Sequence, residues 1–198
     1  MIHKSYLIED NIDLLKNKFS LFYGENLGLK NEFKIKLKKK FKKKIISFHQ
    51  EEILKNQNMF LNEINNKSLF EDEKYFFIDE ANDKILELIE KIIPNIENNR
   101  IYLFSNILDK RSKLRSYFEK DRNCDVIACY KDTELSFRKL ISKKLKDYSV
   151  LTPDIVNLLI DNTSLDRVKL NNELDKITSY FVDKKIQIDE LDKLLNTK

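Results

Sequence analysis

Glycine, proline, cysteine and histidine each occur only twice in 198 residues. The two cysteines, Cys124 and Cys129, lie five positions apart in an apolar run that reads as a strand, so their side chains face opposite sides of it and do not pair. With His3 and His49 they make no metal-ligand spacing, which leaves two small buried thiols in a reducing compartment and no expected metal or cofactor. No stretch approaches the roughly 18 consecutive apolar residues of a membrane span. The start, Met1-Ile2-His3-Lys4-Ser5, contains no signal-peptide core, so the expected location is cytoplasmic with no membrane partner.

Apolar residues are plentiful, at 41% with 11% aromatic, which is enough for real cores. The net charge of +4 invites a nucleic-acid reading, but the excess of Lys, Ile and Asn runs through the whole chain and looks like codon bias. What counts is where the charge clusters. Lys36, Lys38, Lys39, Lys40, Lys42, Lys43 and Lys44 form the densest run, and it has two readings: a solvated helix face backed by Phe33, Leu37 and Phe41, or a patch for DNA phosphates.

Continuous apolar blocks at Phe19–Tyr23, Ile45–Phe48, Tyr75–Ile78, Ile101–Phe104 and Val126–Cys129 read as strands buried on both faces. Helical stripes lie between them: Leu29, Phe33, Leu37 and Phe41, then Ile85, Leu88, Ile89 and Ile92. After Tyr130 only helical patterns follow. Phe137, Leu140, Ile141, Leu145 and Tyr148 make one stripe, and Thr152-Pro153 starts a helix through Ile155, Val156, Leu158 and Leu159. Ser164 is placed to cap a third helix carrying Leu170, Leu174, Ile177 and Phe181, and Leu191, Leu194 and Leu195 mark a last one. The expected fold is therefore a parallel five-stranded α/β domain over residues 1–135, of the AAA+ (P-loop NTPase-like) plan, followed at 136–198 by a small lid domain of three to four helices.

The first strand ends in Gly24-Glu25-Asn26-Leu27-Gly28-Leu29-Lys30-Asn31, where a phosphate-binding loop belongs. Such a loop needs glycine just before its lysine, so that backbone N–H groups wrap the phosphates, and Ser or Thr just after it to hold magnesium. Leu29 and Asn31 stand there instead, so Gly24, Gly28 and Lys30 read as a degenerate nucleotide loop. Phe76-Phe77-Ile78-Asp79-Glu80 has the form of a strand whose Asp holds magnesium and whose Glu orients water, or of a relic ending in a capping pair. Ser68, Leu69 and Phe70 place two large apolar residues in an otherwise polar connection. They either plug the sheet edge or serve as an anchor for a pocket on another protein.

Taken in order, the degenerate loop, Ser68-Leu69-Phe70, Leu108-Asp109-Lys110-Arg111-Ser112-Lys113-Leu114-Arg115 and Asn172-Glu173-Leu174-Asp175-Lys176-Ile177 resemble the delta subunit of the bacterial DNA polymerase III clamp loader along the whole chain. The resemblance implies a non-catalytic subunit of a DNA-directed DNA polymerase (nucleotidyltransferase) complex that binds and opens the ring-shaped sliding clamp (beta). It implies ATPase subunits (gamma/tau) and delta-prime as further partners, with DNA met mainly through the complex. In that family a Leu-Phe pair makes the clamp contact, which carries over to Leu69 and Phe70 with Ser68. Asn66 and Lys67 depart from the clamp-binding pentapeptide. The family's third, collar domain is not expected here, because the sequence stops after the second. The rival expectation is an active AAA+ ATPase that uses Lys30, Asp79 and Glu80 with an atypical loop.

Overall fold

All five apolar blocks form strands, and they pair side by side in one parallel sheet. The computed structural model describes residues 1–41, 45–66, 73–96, 98–148 and 151–196. These divide into two compact units, residues 1–25 with 29–130 and residues 26–28 with 131–198.

In the first unit the elements are β1 (Ile2–His3), α1 (Ser5–Asp10), β2 (Phe19–Tyr23), α2 (Leu27–Phe41), β3 (Ile45–His49), α3 (Gln50–Lys55), α4 (Gln57–Asn65), β4 (Tyr75–Asp79), α5 (Leu86–Ile92), β5 (Arg100–Ser105), α6 (Lys113–Lys120) and β6 (Cys124–Ala128). The sheet order is β1-β6-β2-β5-β4-β3, with every pairing parallel. Alternating side chains feed two cores. Phe19, Leu21, Phe76, Ile78, Ile101, Leu103, Cys124 and Val126 pack against Ile53, Phe60, Leu88, Ile89, Leu114 and Phe118 from α3 to α6. Phe22, Phe77, Tyr102, Phe104, Ile127 and Cys129 pack against Ile8 of α1 and Leu29, Phe33 and Leu37 of α2. Burial on both faces is why these strands read as unbroken apolar runs, and each large side chain so buried is worth about 1.5–3 kcal/mol.

The two cysteines fall on opposite faces, as the spacing requires, and both are buried thiols outside any disulfide. Burial pushes the Cys124 thiol up to about 12, so it stays protonated.

Two expectations are corrected here. The sheet has six strands, not five: β1 is two residues long, too short to show as an apolar run. It is placed by its pairing with Val126 and Ile127 and by His3 Nε2, which lies 2.7 Å from the buried Asp125 carboxylate. β3 is not buried on both faces, because it is the outer strand of the sheet, and Ser47 and His49 are exposed.

The second unit holds α7 (Glu134–Lys144), α8 (Pro153–Thr163), α9 (Arg167–Tyr180) and α10 (Ile188–Asn196) around Phe137, Ile141, Leu159, Leu170, Leu174, Ile177 and Leu191. Thr152 caps α8 through the Ile155 N–H, with Pro153 at the first turn. Ser164 does not cap α9. It ends α8 in the left-handed conformation at φ 49°, Leu165 follows at 57°, and the cap falls to Asp166, whose carboxylate accepts from the Val168 and Lys169 N–H groups. The two-residue left-handed turn shifts the start of α9 past the serine.

Candidate functional site

In an open parallel sheet, ligands bind beyond the carboxyl ends of the strands where the strand order reverses. Here that point is β2, flanked by β6 and β5. The residues just past these strands converge there. Gly24 leaves β2 at φ +133°, and a Cβ on it would stand 2.2 Å from the Cys129 carbonyl oxygen beyond β6. Only glycine fits, on both backbone and steric grounds. The Gly24 N–H donates to the Asn106 carbonyl, and the Cys129 N–H donates to the Tyr23 carbonyl, which ties the three strand ends together.

Lys30 lies on the first turns of α2 and turns inward. Its Nζ donates to the Gly24 carbonyl at 2.8 Å and to the Ser105 carbonyl at 2.7 Å, and the residue is 5% exposed. Burial lowers its pKa, and the nearby Lys34 ammonium adds to this, against raising effects from Cys129, Asp79 and Glu25. One turn along the helix, Lys34 Nζ forms an ion pair with Asp79 Oδ1 at 2.5 Å and lies 4.6 Å from the centre of the Phe104 ring. Glu80 is exposed and left-handed at φ 57°. Among the described residues, none gives the buried Ser105 Oγ a hydrogen bond.

Residues 26–28 belong with the helical unit. Asp132 there accepts from Arg167 Nε at 2.7 Å and Nη2 at 2.8 Å, from Asn26 Nδ2 at 2.7 Å and from Ser136 Oγ at 2.8 Å. Burial alone would raise its pKa, but the Arg167 hydrogen bonds and charge, with Asn26 and Ser136, outweigh burial and hold it below the usual carboxylate range. Gly28 sits against this pair: a Cβ on it would come within 2.7 Å of Arg167 Cβ.

The structure thus brings Gly24, Lys30 and Asp79 to one end of the sheet. Ser68, Leu69 and Phe70 lie outside the described residues, as do Lys42, Lys43 and Lys44. Elsewhere in the lysine run, Lys36 donates to the Glu9 carbonyl and Lys40 pairs with Asp13. In the segment Leu108–Arg115, Asp109 Oδ1 accepts from the Arg111 and Ser112 N–H groups, and Arg115 Nη1 reaches back to the Leu108 carbonyl. Asp83 takes the Ser112 hydroxyl and the Lys113 and Leu114 N–H groups at the start of α6, leaving Lys110, Arg111 and Lys113 exposed around it. Sequence reasoning missed Lys34, Asp132 and Arg167. For Lys34 a signal existed: four residues from Lys30, it shares that helix face. For Asp132 and Arg167, 35 residues apart, there was none.

No protein-family model and no curated protein matches this sequence. Solved structures do. The Bacillus subtilis DNA clamp loader delta protein (YqeN) superposes with a TM-score of 0.67 at 12% identity, covering 96% of this chain and 62% of that one. A point variant of Thermotoga maritima RuvB gives 0.60 at 14% identity over 96% of this chain and 67% of its own. The Thermotoga maritima RuvB Holliday junction branch migration motor gives 0.57 at 15% identity, with 90% of this chain and 61% of that one covered. The chain therefore has the AAA+ fold, a parallel sheet with flanking helices followed by a helical unit, and spans about three fifths of the clamp loader protein it resembles.

That fold implies a magnesium nucleotide, and the residues here do not fit one. The lysine that would hold phosphates is committed to two carbonyls, the aspartate that would hold magnesium is paired with Lys34, and Asn31 offers no hydroxyl for the metal. Among the described residues no group of His, Cys, Asp or Glu is arranged to hold a metal ion.

Proposed function

We propose that this chain is a clamp-loader subunit of the delta type, which binds and opens a sliding clamp without hydrolysing ATP itself. The observation that carries the reading is a nucleotide-type centre filled by the protein's own lysines, on a fold similar to a clamp loader delta protein over 96% of the chain. A subunit that keeps the ATPase scaffold but has lost its phosphate cradle suits a role in which neighbours, the gamma/tau and delta-prime subunits, supply hydrolysis. In this reading residues 1–135 are the AAA+-like domain and 136–198 the lid. Gly24, Gly28 and Lys30 are the remnant of the loop, and Ser68, Leu69 and Phe70 form the clamp contact, with DNA engaged through the assembled loader in the cytoplasm.

Two apolar anchors entering one pocket dominate such an interface, each worth about 2 kcal/mol or more. Leu69→Ala and Phe70→Ala are each expected to weaken binding to the sliding clamp by about tenfold or more in a surface-capture assay, while the far-ultraviolet circular dichroism stays that of the parent. Unchanged clamp affinity in the double variant rejects the assignment.

The likeness to the RuvB motor, with Lys30 and Asp79 near one another, supports a second reading, an AAA+ ATPase with an atypical loop. Titration with a fluorescent ATP analogue separates the two. Micromolar affinity lost in Lys30→Ala favours the ATPase; no binding favours the clamp-opening subunit.

A further inference from the structure

In α2 two lysines one turn apart, Lys30 and Lys34, occupy the two charged positions of the nucleotide-type centre. Lys30 bridges the Gly24 carbonyl after β2 and the Ser105 carbonyl ending β5, and Lys34 pairs with Asp79 ending β4. Their environments differ in a way that matters. Lys30 is 5% exposed and its ammonium donates to two neutral carbonyls, so it joins two strand ends across the point where the strand order reverses. The Lys34 and Asp79 side chains are 23% and 25% exposed, and the Lys34 ammonium also rests on the Phe104 ring, so its position is fixed from two sides.

We infer that Lys34 is a resident cation: it takes at Asp79 the role a magnesium ion would have, while Lys30 holds the loop in place of phosphate, so that this end of the sheet is fixed without nucleotide. The charge count supports this. Asp79 is a carboxylate at a strand end whose carbon skeleton is braced by the sheet, and a single ammonium on the adjacent helix neutralises it where a free divalent ion would otherwise be drawn. The ammonium is covalently attached, so neutralisation does not depend on metal or nucleotide concentration. The loop from Gly24 to Lys30 then keeps one conformation whatever the ATP level. The contacts behind it, Lys30 with Gly24 and Ser105 and Lys34 with Asp79, all lie in the first unit, and the measurements below test them without reference to clamp binding.

The test is a double-mutant cycle read by thermal unfolding, together with amide hydrogen exchange across residues 24–31. Lys34→Met and Asp79→Asn each lower the midpoint by about 2–4 °C, and the double variant falls no further than the lower of the two, because both remove one pair. A Lys34 that matters only through its packing on Phe104 gives additive shifts instead, which overturns the inference. Lys30→Met raises exchange over 24–31 about tenfold. The parent exchanges equally in millimolar magnesium-ATP and in chelator. Protection of 24–31 by magnesium-ATP in the parent also overturns it. Lys34 is partly exposed, so its variants fold even where Lys30→Met does not, and the cycle remains decisive.

Discussion

At the scale of single residues, the loop that ends β2 is controlled by one glycine and two lysines. Gly24 combines a φ of +133° with a backbone oxygen 2.2 Å from where a Cβ would go. Gly24→Ala therefore meets both conformational strain and a clash with immobile main chain, and is expected to cost about 3 kcal/mol or more in urea unfolding. Gly28→Ala is a different case. Its φ is ordinary, and the contact at 2.7 Å is with a side-chain carbon of Arg167, though the Val168 main-chain nitrogen lies at 3.1 Å. Lys30 illustrates how burial acts on a base. Its folded pKa lies below the ordinary 10.5, so the charged form is disfavoured by folding. Raising the pH from the folded value towards 10.5 should increase stability at this site, since the unfolded chain binds the extra proton there.

Among the elements, helix starts carry the strongest polar ties. The Asp132–Arg167 pair at the start of α9 is almost fully buried, with side chains 5% and 3% exposed, and two further donors complete the carboxylate. Removing one partner leaves the other charge buried alone, so Asp132→Ala is expected to destabilise the second unit by about 3–5 kcal/mol, measured by thermal or urea unfolding. The pair also sets an acid limit. The Asp132 pKa is lowered, so its contribution is complete above the ordinary value of 3.8 and is lost as the pH falls through the lower folded value. An acid titration of the parent should show a loss of stability below about pH 4 that Asp132→Asn lacks. Asp83 shows the same sign at the start of α6: desolvation alone would raise its pKa, but the Ser112 hydroxyl, the Leu114 and Lys113 N–H groups and the Lys113 charge together outweigh it, and the pKa is lowered.

For the whole molecule, the sheet order places the strand ends so that Lys34 meets Asp79, 45 positions along the chain, beside the buried Lys30. The fold is shared with the clamp loader delta protein and with RuvB, two proteins of different names, so the fold does not by itself choose between them. The choice turns on the contents of the loop. With the phosphate lysine committed and the acidic strand end paired, saturating magnesium-ATP is expected to shift the melting temperature by less than about 1 °C, whereas a nucleotide bound at a hundred times its dissociation constant adds about 2.7 kcal/mol.

The long strands, the helical stripes and the opposed cysteines were legible in the order of residues alone, because burial on both faces writes itself as unbroken apolar runs in β2, β4, β5 and β6, the outer strand β3 keeps enough apolar residues to be found, and helix packing shows as a period near 3.6. The defect of the loop was legible too, since Leu29 and Asn31 are adjacent to Lys30 in the chain. What replaces the missing chemistry emerged only in three dimensions. His3 with Asp125, Lys34 with Asp79 and Arg167 with Asp132 join residues 122, 45 and 35 positions apart, and even for Lys34, whose spacing from Lys30 marks its helix face, nothing in the order of residues names the partner. Apolar periodicity fixes where a side chain is buried; which charge it meets there depends on how distant strand ends and helix starts are brought together.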